Sequence, residues 1–140
     1  PALADDSGIC VDVLGGAPGI FSARWAGHGR GAQANLDLLL DQLADIADDH
    51  RAAHFVSCIA IVGPREDGTP FEQTVTGIWP GRLAREAHGG GGFGYDPIFV
   101  PEGLTVSAAE LTPAEKNAQS HRARAFEAAI PVLRTSVIPN

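Results

Sequence analysis

Methionine is absent from the 140 residues, lysine occurs once, as Lys116, and cysteine occurs only as Cys10 and Cys58. Glu115 precedes the single lysine, so a Walker-type phosphate loop, which needs Gly-Lys-Ser/Thr, is excluded within these residues. The two cysteines form no C-x-x-C pair and lie in apolar runs, which is typical of reduced core thiols in a cytosolic protein. The five histidines lack H-E-x-x-H spacing, and we therefore expect no zinc site.

Long apolar runs are also missing. None reaches the length of a membrane span, and the first residues have neither the basic region nor the apolar core of a signal peptide. The net charge of −7 disfavours a nucleic-acid or anionic-membrane surface, but it is compatible with an anionic small ligand held locally by a metal. We expect a cytoplasmic protein without a membrane or nucleic-acid partner, folded as one domain over residues 1–140.

The most distinctive stretch present, residues 89–99, reads Gly-Gly-Gly-Gly-Phe-Gly-Tyr-Asp-Pro-Ile-Phe. A backbone of four glycines turns sharply and approaches a ligand closely. Phe93 and Tyr95 offer rings for stacking, and Asp96 offers a carboxylate to N–H groups, as recognition of a planar heterocycle requires. A plain turn whose aromatic rings belong to the core is the alternative interpretation.

Hydrophobic periodicity predicts a sheet with helices packed on it. Residues 53–62 are almost continuously apolar, which is typical of a central strand covered on both faces. Residues 71–79 alternate and read as its antiparallel partner, ended by a turn at Pro80. Residues 32–47 carry leucines at helical spacing.

The glycine-rich stretch and the end of the chain carry further local signals. Pro97 predicts that Asp96 is extended and begins a strand. Thr112, followed by proline and by glutamate three residues later, forms a capping box at the start of a helix. Ser120 is a candidate cap for a second helix, in which Pro131 predicts a kink or break.

Three basic side chains lie close together in the last third of the chain, namely Lys116, His121 and Arg122. A solvated basic patch is the plain interpretation. Positive charge in the first turns of helices is electrostatically unfavourable, however, so the cluster favours an anionic or carbonyl-bearing ligand.

Two adjacent carboxylates occur near the start, in a polar segment that predicts a turn at residues 5–8 between two short strands. Neighbouring residues of an extended chain point to opposite faces, so Asp5 and Asp6 are not expected to share one site. One should face a cleft and the other should support the structure. A simple Asp-Ser-Gly turn without a functional role is the alternative.

Three blocks of residues, taken in order, resemble the inosine triphosphate pyrophosphatase family over essentially the whole chain. They are residues 4–8 with 15–19 and 22–24, residues 92–99, and residues 109–111 with 116–117 and 120–122. The resemblance implies a mixed α/β fold with a long twisted β-sheet flanked by helices, and usually a homodimer. It also implies Mg²⁺-dependent cleavage of ITP, dITP and XTP to the monophosphate and pyrophosphate.

The same resemblance assigns roles to individual residues. Asp6 matches the catalytic proton acceptor and magnesium ligand of the family. The substrate-binding positions match Ser7, Phe93, Gly94, Tyr95, Asp96, Lys116, His121 and Arg122.

The chain departs from the family pattern at its beginning. Members start with a Ser/Thr-Gly-Asn-x-x-Lys phosphate loop, followed by a metal-binding glutamate, and this sequence has neither. We therefore expect the C-terminal two-thirds of the family fold, N-terminally incomplete, with weak hydrolysis by these residues alone. Two other functions stay open: a truncated, non-catalytic nucleotide-binding or dimerising module, and a magnesium phosphohydrolase for another nucleotide.

Overall fold

The computed structural model describes residues 1–136, and the side chains of residues 1–134, as an α/β fold with one antiparallel sheet. The sheet consists of strands β1 (Ala2–Val11), β2 (Ala52–Pro64), β3 (Pro70–Leu83) and β4 (Phe99–Pro101), in the order β1-β2-β3-β4. The helices are α1 (Ala32–Gln42), α2 (Pro113–Gln119) and α3 (His121–Ser136). Within residues 1–136, none of the helices has the length and apolarity needed to cross a membrane.

Both hydrophobic clusters lie on the same face of the sheet, which we call the covered face. In one cluster, Phe55 and Trp79 of the sheet pack with Leu39 of α1. In the other, Ile59 of β2 packs with Ala125 and Ala129 of α3. The helices thus form a single layer on the covered face.

The opposite face, which we call the open face, is half-exposed. Val56, Cys58 and Ala60 alternate along β2 with the buried residues and are only partly covered. The prediction that β2 is covered on both faces is therefore wrong for the described residues. Cys10 is also on this face, free and half-buried rather than in the core, and burial raises the pKa of its thiol.

Strand pairing overrides several local turn signals. The predicted turn at residues 5–8 does not form, because β1 is continuous and each of its residues has a partner on β2. The predicted turn at Pro80 is also absent, and β3 continues to Leu83. Pro80 lies just before the three residues that pair with β4, so its missing N–H interrupts no hydrogen bond to that strand.

Two further boundaries differ from those predicted. Asp96 does not begin a strand but opens a 3-10 turn, Asp96–Ile98, and the strand starts at Phe99. The hydrogen bond from Phe93 N to Asp96 Oδ2, 2.7 Å long, folds this segment back on itself. The capping box at Thr112 is confirmed, whereas α3 continues past Pro131 without a break.

Gly77 lets α3 lie directly on β3. A Cβ atom at this position would overlap the carbonyl oxygen of His121 and the amide nitrogen of Ala125. We expect Gly77→Ala to destabilise the fold by about 1–3 kcal/mol, the usual cost of overpacking. Urea unfolding measures the change, with Gly90→Ala as the matched control, since nothing lies within 4 Å of a Cβ built there. Equal midpoints for the two variants would contradict this account of helix docking.

Candidate active site

A cavity of about 730 Å³ opens on the covered face, between β1, the segment around residues 93–96, α2 and the start of α3. All of the positions that the sequence suggested as substrate-binding line it, namely Ser7, Phe93, Gly94, Tyr95, Asp96, Lys116, His121 and Arg122. Three distant parts of the chain therefore meet around one space. The cavity is large enough for a small organic ligand.

A buried carboxylate organises the centre of the cavity. Asp96 is 2% exposed, accepts the hydrogen bond from Phe93 N, and forms an ion pair with the ammonium of Lys116. A Cβ at Gly92 would overlap this carboxylate, and Gly92 has φ +74°, so a glycine is required there. Asp96 thus fixes the backbone under Phe93 and the position of Lys116 together.

The two aromatic residues of the segment have different environments. The Tyr95 hydroxyl donates a 2.6 Å hydrogen bond to Ser22 O, and burial raises its pKa to about 12. Ser22 Oγ in turn accepts a hydrogen bond from Ile9 N, at 2.9 Å. Tyr95 therefore anchors the segment to β1, whereas the ring of Phe93 is 83% exposed and is free to stack on a ligand.

His121 is a neutral, buried side chain at the floor of the cavity. Its ring stacks on Phe55, with 4.8 Å between centroids and 14° between planes, and lies beside Trp79. Burial lowers the pKa of His121 to about 4. The charge of Asp96 acts in the opposite direction, whereas the charges of Lys116 and Arg122 lower the pKa further. Nδ1 is buried and has no hydrogen-bond partner among the described residues.

The first turn of α3 brings an arginine to the edge of the cavity. Ser120 caps the helix, because its Oγ accepts a 3.2 Å hydrogen bond from Ala123 N, as the sequence suggested. The guanidinium of Arg122 donates through Nη2 to Asp5 Oδ2 at 3.0 Å. Arg24 lies over the ring of Phe21 and does not line the cavity.

Asp6 is the one sequence-predicted site residue that does not line the cavity. It lies on the open face of β1, opposite Cys58 of β2, and is exposed. Asp5, on the covered face, contacts α3, so the expected opposite facing of the two carboxylates is confirmed. In the described part of the chain no group of three or more His, Cys, Asp or Glu side chains is arranged to hold a metal.

Sequence reasoning missed other residues of the cavity, among them Asn35 and Phe126. Asn35 is buried and uses its side chain to bind the backbone of Ala23 and Ala26. Phe126 lies on α3 and is 51% exposed, and its place in the cavity depends on tertiary packing that has no local signal in the sequence.

The neutral state of His121 makes stability depend on pH. Its folded pKa of about 4 lies below the ordinary value of 6.5, so the unfolded chain binds more protons between these values. The free energy of unfolding should therefore fall by about 3 kcal/mol on acidification from pH 7 to pH 4 through this group. His121→Gln should remove that part of the slope, whereas His28→Gln, in an exposed loop, should keep it. Urea titrations across pH measure both, and an unchanged slope in His121→Gln would contradict the assignment.

Comparison with known proteins identifies the fold. The model of the Ham1 family matches residues 1–132. The dITP/XTP pyrophosphatase of Leifsonia xyli subsp. xyli is 67% identical over 133 residues, and that of Streptomyces coelicolor is 62% identical over 134. These matches cover 95% and 96% of this chain, but the chain spans only 65% of the length of either relative.

A solved structure gives the same result. The Ham1 protein of Staphylococcus aureus superposes with a TM-score of 0.86 at 38% identity, over 94% of this chain and 66% of that one. The resemblance to the inosine triphosphate pyrophosphatase family is confirmed, and the chain belongs to the Ham1 family.

Proposed function

We propose that the protein hydrolyses the deaminated purine nucleoside triphosphates ITP, dITP and XTP to the monophosphate and pyrophosphate. The observation that carries the proposal is the cavity itself, in which an exposed ring, Phe93, faces the same space as the donors Lys116, His121 and Arg122. The dITP/XTP pyrophosphatase names of two relatives above 60% identity support it. This activity would limit the amount of damaged purine nucleotide in the cell.

Selection of the base follows from hydrogen-bond polarity. Hypoxanthine and xanthine carry an acceptor at O6, where adenine carries an amino donor. The ammonium of Lys116 and the guanidinium of Arg122 can only donate, so they favour the 6-oxo purines and oppose an amino group. Phe93 supplies the stacking surface, which does not distinguish the bases. The donors therefore provide the discrimination between bases, and the ring contributes affinity for any of them.

The phosphate chemistry belongs to Asp6 in this proposal. A carboxylate oxygen is the ligand type that Mg²⁺ prefers, and the exposed carboxylate of Asp6 fits that requirement as one ligand. When bound, Mg²⁺ would neutralise charge on the substrate phosphates. Asp6 would also accept the proton of the attacking water. Substrate phosphates and water would fill other positions around the metal, and the described residues contain no group of three or more side chains that could hold it.

One observation favours a second function for these residues, nucleotide binding without efficient turnover. The only lysine is already paired with Asp96, and among the described residues Asp6 belongs to no group of three or more side chains that could hold a metal. Positioning of the phosphates provides most of the rate enhancement in phosphoryl transfer. Pyrophosphate release from ITP with Mg²⁺, measured beside nucleotide affinity, separates the two functions.

The proposal extends to assembly and location. A homodimer is supported by the resemblance to a family whose members are usually homodimers, and a cytoplasmic location is supported by the two free cysteines. Light scattering on the purified protein tests the oligomeric state directly.

Substitution of Asp6, the proposed proton acceptor, should remove activity without lowering the thermal stability of the protein. We expect Asp6→Asn to abolish nearly all ITP hydrolysis in the intact protein while leaving the melting temperature unchanged or raised. Removal of a lone carboxylate from a metal site relieves electrostatic repulsion when the metal is absent. Asp41→Asn, on the exposed side of α1, is the control and should retain activity. Turnover by Asp6→Asn within a few-fold of the parent protein would refute the role of Asp6.

Substitutions of the proposed base-binding residues should have separate effects on the affinity for ITP and on the preference for ITP over ATP. We expect Phe93→Ala to weaken ITP binding by about one to two decades, since stacking on an aromatic ring is worth about 1–3 kcal/mol per base. Lys116→Ala should reduce the preference for ITP over ATP. Titration calorimetry with both nucleotides measures these effects, and Phe21→Ala, an exposed ring outside the cavity, is the control. Unchanged ITP affinity in both site variants would count against the pocket.

A further inference from the structure

We propose that Asp5 is a positioning residue for Arg122, holding its guanidinium at the edge of the cavity with N–H groups left for the nucleotide. The inference rests on the proposed function and adds a residue to its binding site. It also gives the two adjacent carboxylates of β1 different tasks: Asp5 acts on base binding through Arg122, and Asp6 acts on the phosphates.

The contact itself is specific. Nη2 of Arg122 donates to Oδ2 of Asp5 at 3.0 Å, joining β1 to α3 across 117 positions of sequence. Among the described residues, Asp5 is the one side chain that accepts a hydrogen bond from Arg122. A guanidinium has five N–H groups in a fixed fork, so one bond to Asp5 sets its orientation and leaves others for a ligand.

The role of this ion pair in stability is small. Both side chains are partly exposed, at 38% for Asp5 and 60% for Arg122, and such pairs contribute little to folding. The position of α3 is already determined by the burial of Ala125 and Ala129 and by its close approach to Gly77. Arg122 also stands in the first turn of the helix, where a positive charge opposes the helix dipole. The main effect of the ion pair is therefore to fix the position of the Arg122 guanidinium.

Holding the guanidinium in place before the nucleotide binds increases the affinity for the nucleotide. A free arginine side chain loses rotamer freedom when it engages a ligand, and this loss weakens affinity. The bond to Asp5 restricts the side chain before the nucleotide arrives. Asp5 and Ser7 lie on the same face of β1, and Ser7 and Arg122 both line the cavity, so the pair borders the base-binding space.

A double-mutant cycle on binding tests the inference. IMP is the probe, because it carries the hypoxanthine base without the hydrolysable phosphates. Calorimetry should show Asp5→Asn weakening IMP about five- to tenfold, and Arg122→Gln weakening it at least as much. The double variant should be no weaker than Arg122→Gln alone. Asp5→Glu, which keeps the charge, should recover most of the affinity.

The matched control is a second exposed ion pair of the same kind. Arg85 Nε and Asp48 Oδ1 lie 2.7 Å apart, away from the cavity. Asp48→Asn should leave IMP affinity unchanged and should lower the melting temperature by about as much as Asp5→Asn. In turnover assays, Asp5→Asn should raise KM for ITP with little loss of kcat, unlike Asp6→Asn.

The outcomes separate the inference from the proposed function. If Arg122→Gln weakens IMP but Asp5→Asn does not, or if the two effects add, Asp5 does not position Arg122 while the purine site stands. If Arg122→Gln and Phe93→Ala both bind IMP normally, the proposed base site fails, and the inference fails with it.

Discussion

The buried carboxylate of Asp96 is the group on which the arrangement of the site depends. A buried charge is costly unless it is paired and hydrogen-bonded, and here the ammonium of Lys116 and the amide of Phe93 satisfy it. One carboxylate thereby joins the glycine-rich segment to α2. The same bonds bring a cation, Lys116, and an exposed ring, Phe93, to the lining of one cavity. Tyr95, bound to Ser22 O, then fastens the segment to the sheet.

The second constraint is that the described helices cover only one face of the sheet. Alternation along β1 places Asp5 and Ser7 on the covered face, where the cavity lies, and Asp6 on the open face. Recognition of the base and chemistry at the phosphates thus belong, in the proposed function, to opposite sides of one strand. His121 packs against Phe55 and Trp79 on the covered face, and it stays neutral because it is buried there.

Local and motif signals predicted much of this molecule. The capping box at Thr112, the central strand with its antiparallel partner and the eight substrate-binding positions of the cavity could be expected from the sequence. Errors arose where long-range pairing opposes local preference. Residues 5–8 have turn composition, yet ten consecutive pairs with β2 keep β1 extended. The apolar run of β2 suggested two covered faces, whereas Val56 and Ala60 are half-exposed.

Properties that depend on distant partners had no signal in the sequence. The lowered pKa of His121 arises from burial against side chains of β2 and β3. The partner of Arg122 is 117 residues away, and spacing along the chain gives no indication of it. Motif resemblance named the residues of the cavity, but only the fold shows that Asp6 lies outside it.

An NMR titration of the ¹⁵N-labelled protein with IMP and with AMP tests the central claim most directly, because it locates the base and measures discrimination together. The account predicts that IMP shifts the amides of Phe93, His121 and Arg122 and the imidazole signals of His121. AMP should cause the same changes only at concentrations more than about tenfold higher, since its amino group replaces the O6 acceptor that the donors Lys116 and Arg122 favour. Equal responses to the two nucleotides, or shifts located away from these residues, would contradict the account.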